Sequence, residues 1–287
     1  MRKNIFEILS KDFDVNREIT LIWHLFTKAM IFVPYDSRTS YGRRHFNEIS
    51  IIECVDSFSF VDWKARNRCI SPLDMMERLG IDEDTINSLT VFSNETFVIL
   101  EFIVNMIKRC DIAKKRNGFN SSDDFEMLNQ NIKTFLEHFG YTTDYFEDDE
   151  TVIIVEKNPA AISAAEISEP GTSKKIIQYN HYMLKGNIDA KRDILLALAK
   201  EVEPKRDELK QITPVFADDL FFMFNNMNLR HNNKEPNSKH YKPYVVNMDI
   251  NKLESWYDEI YQMILLAKLL LDNKRRHADI DTLKVNF

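Results

Sequence analysis

Six glycines and eight prolines among 287 residues leave this chain few of the residues that tight turns demand. Sandwiches and barrels of many short strands draw on Gly and Pro at their reversals, so the scarcity favours long helices joined by few turns. The hydrophobic spacing agrees. From Arg17 to Met30, the residues Ile19, Ile22, Trp23, Phe26 and Met30 recur at helical intervals, as in an amphipathic helix. Ser71-Pro72 supplies an N-cap and a proline at the first helical position, and Gly80 supplies a stop, so a short helix is predicted between them. A stronger helix is predicted from near Ser93, with Phe97, Leu100, Ile103, Val104 and Ile107 on one face; it ends among Lys108, Arg109 and the basic Lys114-Lys115-Arg116. Another runs from about Ser122 through Phe125, Leu128, Ile132, Phe135 and Phe139 to Gly140.

The pattern then changes. Tyr141 to Tyr145 and Thr151 to Val155 are β-prone runs on either side of Glu147-Asp148-Asp149-Glu150, which reads as a small hairpin. Asn158 to Ser173 is rich in Pro, Ala, Ser and Gly and is read as a linker. Helical signal resumes over Lys174 to Leu184, over Ile188 to Val202 before Pro204, and again up to Ile212. Pro214 opens a helix through Phe216, Leu220, Phe221, Phe224 and Met227. Asn251 and Glu254 have capping-box spacing ahead of the stripe Leu253, Tyr257, Ile260, Ile264, Ala267 and Leu271. The expected fold is therefore mainly α. An N-terminal mostly helical domain with a small β-hairpin spans 1–157, a linker spans 158–173, and a C-terminal four- or five-helix bundle spans 174–287.

Charge divides along the same line. Residues 174–287 hold 19 Lys+Arg against 16 Asp+Glu, a net of +3, whereas residues 1–173 carry −10. RNA would meet less repulsion at the C-terminal part. Cys54, Cys69 and Cys110 form an odd set without CxxC spacing, which fits a reducing compartment and signals neither a disulfide framework nor a zinc site. The opening ten residues lack a signal-peptide core and the run Ile260 to Leu271 is too short to span a bilayer, so a cytoplasmic protein with no membrane partner is expected. The sequence contains no GxxxxGK[ST], GxGxxG, HExxH or GxSxG pattern, and no cofactor is called for.

The densest chemistry lies between Asn225 and His240. Asn225, Asn226, Asn228, Asn232 and Asn233 surround Arg230 and His231 at the end of a predicted helix. A polar loop then carries Lys234, Lys239, His240, Tyr241 and Lys242 to the last helix. An imidazole can take the proton of a ribose 2′-OH or protonate the 5′-oxygen leaving group, and an arginine can stabilise the charge that builds on phosphorus. The carboxamides, with Lys239 and Tyr241, would hold ribose and phosphate. Equally, asparagines cap backbone groups, and Arg or His near a helix C-terminus complements its dipole.

Tyr179 and Tyr182, Lys185-Gly186-Asn187, Lys191-Arg192, Glu203-Pro204 and the Asn225 to Asn233 string resemble the C-terminal helical domain of bacterial abortive-infection proteins of the AbiJ kind, within the HEPN group. The likeness covers roughly residues 174–275. It implies a helical bundle that forms a homodimer, with an Arg and a His from each subunit around a shared RNA-cleaving site. It also implies a toxin used in phage defence, with RNA, transfer RNA included, as partner and with a phage trigger or an antitoxin as regulator. In that group Arg precedes His by a short intervening run. Here His231 is adjacent to Arg230, and His240 follows a longer one. The resemblance implies catalysis by Arg230 and a nearby His, with no metal. Either a longer loop carries His240 to the site, or His231 has taken over, or catalysis is lost; the preferred reading is Arg230 with His231, and with His240 as helper. The N-terminal domain would sense the trigger or restrain the toxin.

A second reading makes the chain a non-catalytic helical protein that dimerises or binds a partner through the same stretch. Elsewhere, Arg43-Arg44-His45 and Trp63-Lys64-Ala65-Arg66 are basic patches with aromatic neighbours, read as surface and packing features. The acidic stretch 147–150 lacks the ligand spacing and glycine of an EF-hand loop and is read as a solvated turn. Phe221, Phe222, Phe224 and His24 are read as core, and His138 and His181 have no evident partners in sequence. Lys274-Arg275-Arg276-His277 is read as a helix-end cluster.

Overall fold

The computed structural model describes residues 13–35 and 45–285. Arg43 and Arg44 lie outside the described residues. The chain divides into two compact units, 1–154 and 155–287. Both are mainly helical, and the β-structure is small and antiparallel. No helix among the described residues is long and apolar enough to cross a membrane.

In the first unit, α1 (Val15–Lys28) is capped by Asp14, whose carboxylate accepts from the Arg17 N–H, and it buries Ile19, Ile22, Leu25 and Phe26. Met30, expected to close this helix, instead opens β1 (Met30–Tyr35). β1 pairs with β2 (His45–Ser50) from Met30↔Ser50 to Tyr35↔His45, and with β3 (Asn120–Ser121) through Ile31 and Phe32. Pro34 thus lies beyond the residues that β3 reaches, where a missing N–H is tolerated. Ser50 forms a capping box with Glu53 at the start of α2 (Ile51–Phe58). Ser71 and Gly80 bound α3 (Pro72–Leu79) as the sequence predicts, with Gly80 left-handed at φ +67°. The short α4 (Glu83–Ser88) leads to α5 (Asn94–Asn117), the longest helix of the unit, which ends at left-handed Gly118. α6 (Asp123–His138) follows, then the hairpin of β4 (Tyr141–Phe146) and β5 (Thr151–Glu156).

Three side chains of α5 tie the hairpin to it. The Asn105 carboxamide both donates to and accepts from the Val152 backbone, at 2.8 and 2.9 Å. Glu101 accepts from the Ile154 N–H at 2.9 Å. Arg109, expected as a helix-end cation, sits in the helix interior, fully buried, and joins the Glu150 carboxylate to the Ser59 carbonyl. The acidic turn is therefore not only solvated, since one of its carboxylates balances a buried cation.

The second unit corrects the expected linker. Residues 158–173 are not an open connection: α7 (Pro159–Glu166) starts on Asn158 as N-cap, and α8 (Pro170–Tyr179) follows. Pro159 and Pro170 stand at helix starts, where the absent N–H costs nothing. Ala161, Ala164 and Ala165 are buried in the same core as Leu195, Phe224 and Ile264. α7 thus joins the five helices that the periodicity predicts. These are α8, α9 (Ile188–Val202), α10 (Arg206–Ile212), α11 (Pro214–Asn226) and, beyond the short α12 (Pro243–Val246), α13 (Ile250–Val285). α13 packs against α7, α9, α10 and α11. Its cap is Asp249, which accepts from the Asn251 N–H at 2.9 Å, and no Asn251–Glu254 box forms. Glu254 instead turns inward and accepts from the Gly186 N–H and the buried Lys191 ammonium, each at 2.8 Å. Asp258 takes Lys191 at 2.6 Å and the Tyr179 hydroxyl at 2.9 Å. A buried ammonium needs such paired acceptors, and this cluster fixes α8 and α9 against α13.

Candidate functional site

α11 delivers the site. Its last turn closes with the Met227 N–H on the Met223 carbonyl at 3.0 Å. Asn228 then enters the left-handed region at φ +57°, a conformation that asparagine tolerates better than most residues. Leu229 returns to the core at 2% exposure, and the Arg230 N–H reaches back to the Phe224 carbonyl at 3.0 Å. The side chain of Arg230 is thereby turned out at the surface, where its guanidinium meets Glu203 at 2.9 Å.

The next segment is knitted by asparagines. The Asn228 N–H donates to the Asn233 side-chain oxygen at 2.7 Å, and the Asn233 N–H returns a bond to the Asn228 side chain at 3.1 Å. The Asn233 amide nitrogen donates to the carbonyls of Asn225 and His240 at 3.2 and 2.7 Å, and the Asn233 carbonyl accepts from the Lys242 N–H at 2.9 Å. Arg192 of α9 holds the Asn228 carbonyl from below. Asn233 is fully buried and Asn228 nearly so.

The consequence is a fold-back that brings His240 onto His231. The two rings stack at 3.8 Å between centroids and 6° between planes, although eight residues separate them in sequence. Partial burial, then the electrostatic influence of the neighbouring His240, Arg230 and Lys239, holds the His231 imidazole below its usual range; Glu203 opposes this only in part. The structure therefore places Arg230, His231 and His240, the three predicted catalytic residues, on one exposed loop.

The same geometry occupies several members of the predicted substrate-binding set. Asn228 and Asn233 are buried, and their carboxamides bond the loop's own backbone, because a reversal of this length leaves inward N–H and C=O groups that must be paired. Asn226 donates to the Phe222 carbonyl at 2.8 Å, and Asn232 caps Lys234 and Glu235. Asn225 is half-buried at the helix end; Tyr241 is half-buried and Lys239 exposed on the rim. Glu203 and Arg192, which position Arg230 and its loop, have no chemical signal in sequence beyond the two dipeptides that contain them. Asn233→Ala is expected to destabilise the second unit by about 2 kcal/mol, since it strands buried partners. Its distinctive mark would be loss of the His231–His240 ring-current shifts in NMR; retention of those shifts would contradict the role given to Asn233.

Other expectations meet mixed outcomes. His24 is exposed rather than core, and Phe222 is 58% exposed while Phe221 and Phe224 are buried. His138 stacks on Phe13 at 3.9 Å, and His181 meets Tyr182 edge-on at 4.6 Å. Arg66 is spent on the Cys69 and Val61 carbonyls, a packing role. Lys274 to His277 do not end a helix, because α13 continues to Val285. Cys54, Cys69 and Cys110 are free and buried. Among the described residues no group of three or more His, Cys, Asp or Glu converges as a metal site. No protein-family model matches the chain, and neither a curated protein nor a solved structure matches it significantly.

Proposed function

We propose that the second unit is a metal-independent endoribonuclease of the HEPN kind, acting as a toxin in phage defence by abortive infection, with the first unit as its sensing or restraining domain. The observation that supports this best is the stacking of His231 on His240 beside the exposed Arg230 guanidinium. In this reading neutral His231 takes the proton of a ribose 2′-OH. The 2′-oxygen attacks phosphorus, the bond to the 5′-oxygen breaks, and a 2′,3′-cyclic phosphate and a 5′-hydroxyl result. Arg230 offsets the charge on the phosphorane. The two rings lie face to face and meet a phosphate from one side, whereas in-line displacement needs the proton donor on the other. A second copy of the bundle across a two-fold axis would supply that donor, in the homodimer that the family resemblance implies.

The base must be unprotonated to act. Because His231 is held below the usual imidazole range, the acid limb of kcat/KM for RNA cleavage should fall at a pH below about 6.5, the reference value. His240→Ala removes a neighbour that both buries the His231 ring and disfavours its protonation, and should move that limb upward. A limb at or above the reference value, unmoved by His240→Ala, would reject His231 as the base. The second reading, a non-catalytic interaction bundle, draws on the asparagines spent on the loop backbone. It predicts association without turnover.

A further inference from the structure

The first unit holds a cleft of about 460 Å³ that the proposed chemistry does not use, between α5, α6 and the β4–β5 hairpin. Its volume lies within the roughly 300–1,000 Å³ of small-molecule sites. The floor is apolar, made by Val104, Ile107, Ile132, Leu136 and Val152, all buried. Two lysines line it from different helices, Lys108 of α5 and Lys133 of α6. Among the described residues neither has a carboxylate within ion-pair distance; Lys108 lies over the Tyr145 ring, 3.6 Å from its centroid. On the hairpin side stands the half-buried Asp144, whose carboxylate takes one bond, from the Tyr145 N–H at 2.7 Å. Burial raises its pKa, as expected of a carboxylate with no cation beside it. Asp111 and Glu137 complete the charged rim, and Asp111 is already engaged by Lys114 at 3.4 Å.

We infer that this cleft binds a nucleoside monophosphate, with the phosphate on Lys108 and Lys133, the base over the apolar floor, and the base's N–H edge on Asp144. Two lysines with no carboxylate in ion-pair distance among the described residues match a dianion better than a single carboxylate. A carboxylate accepts two parallel N–H bonds, and guanine presents such a pair on adjacent atoms. Guanosine monophosphate is therefore the ligand expected to bind most tightly.

Isothermal titration calorimetry of the full chain tests this with guanosine monophosphate, guanosine, inorganic phosphate and phenylalanine as probes. The expected result is saturable binding of the nucleotide, at least 10-fold weaker binding of guanosine and of phosphate, and at least 10-fold weakening by Lys133→Ala and by Asp144→Asn. Lys133 is exposed and has no polar partner among the described residues, so its loss leaves the fold intact, and circular dichroism checks that. No binding, equal binding of phosphate alone or of phenylalanine, or affinity unchanged in both variants would each overturn the inference. RNA cleavage does not enter this readout, so failure here leaves the proposed function standing.

Discussion

Arg109→Ala is expected to lower the stability of the first unit by about 3 kcal/mol, the lower end of the cost of removing one partner from a buried ion pair. The guanidinium is fully buried within α5 and binds both Glu150 of the hairpin turn and the carbonyl of Ser59, just past α2. Its loss leaves that carbonyl, on a residue 3% exposed, without a donor, and leaves a void where the longest buried side chain stood. Glu150 suffers less, because its side chain is 34% exposed and can be solvated. Calorimetry should show one of two unfolding transitions falling by roughly 10 °C at the 2–4 °C per kcal/mol typical of a unit this size. Arg109→Met combined with Glu150→Gln should recover much of the loss, since an apolar side chain of similar length removes the buried charge together with its need for a partner. A shift under about 1 kcal/mol for Arg109→Ala would show that the pair does not hold the hairpin.

How much of this was readable in the sequence depends on whether local chemistry or tertiary contact decided the outcome. Ser71-Pro72 and Gly80 bound a helix because cap and stop act within a turn of the chain. The hairpin at 141–156 followed from β-prone runs around a polar turn. The three-stranded sheet has no local signature in the sequence because β1 follows α1 directly, so Met30 extends the helical spacing by one step. Pro159, Pro170 and their alanines looked like a linker by composition. In the fold the prolines start helices and the small residues allow close approach. Arg109 looked like a dipole-complementing cation since nothing local reveals that Glu150 and Ser59 will converge on it.

The site shows the same division. The Asn225 to His240 stretch was recognisable as a concentration of polar groups, but the division of labour within it was not. Asparagines suited to ribose and phosphate are consumed by the left-handed turn at Asn228 and by the inward carbonyls of Asn225 and His240. The spacing of Arg230, His231 and His240 departs from the pattern that the resemblance implies, yet the fold-back that those asparagines enforce closes the distance between the two imidazoles. Glu203, which meets Arg230 from the end of α9, could not be paired with it from sequence, because 26 intervening residues separate them.

The most direct measurement is cleavage of transfer RNA by the purified 287-residue chain in excess chelator, read as the rate of appearance of 2′,3′-cyclic phosphate ends. Wild type should cut; Arg230→Ala and His231→Ala should each lower the rate by at least about 100-fold, the scale of a lost acid–base or charge-stabilising group. Both side chains are at least partly exposed, so each variant should stay folded, which circular dichroism checks. Intact RNA with wild type, or equal cleavage by all three proteins, would contradict the assignment of this loop as a ribonuclease site.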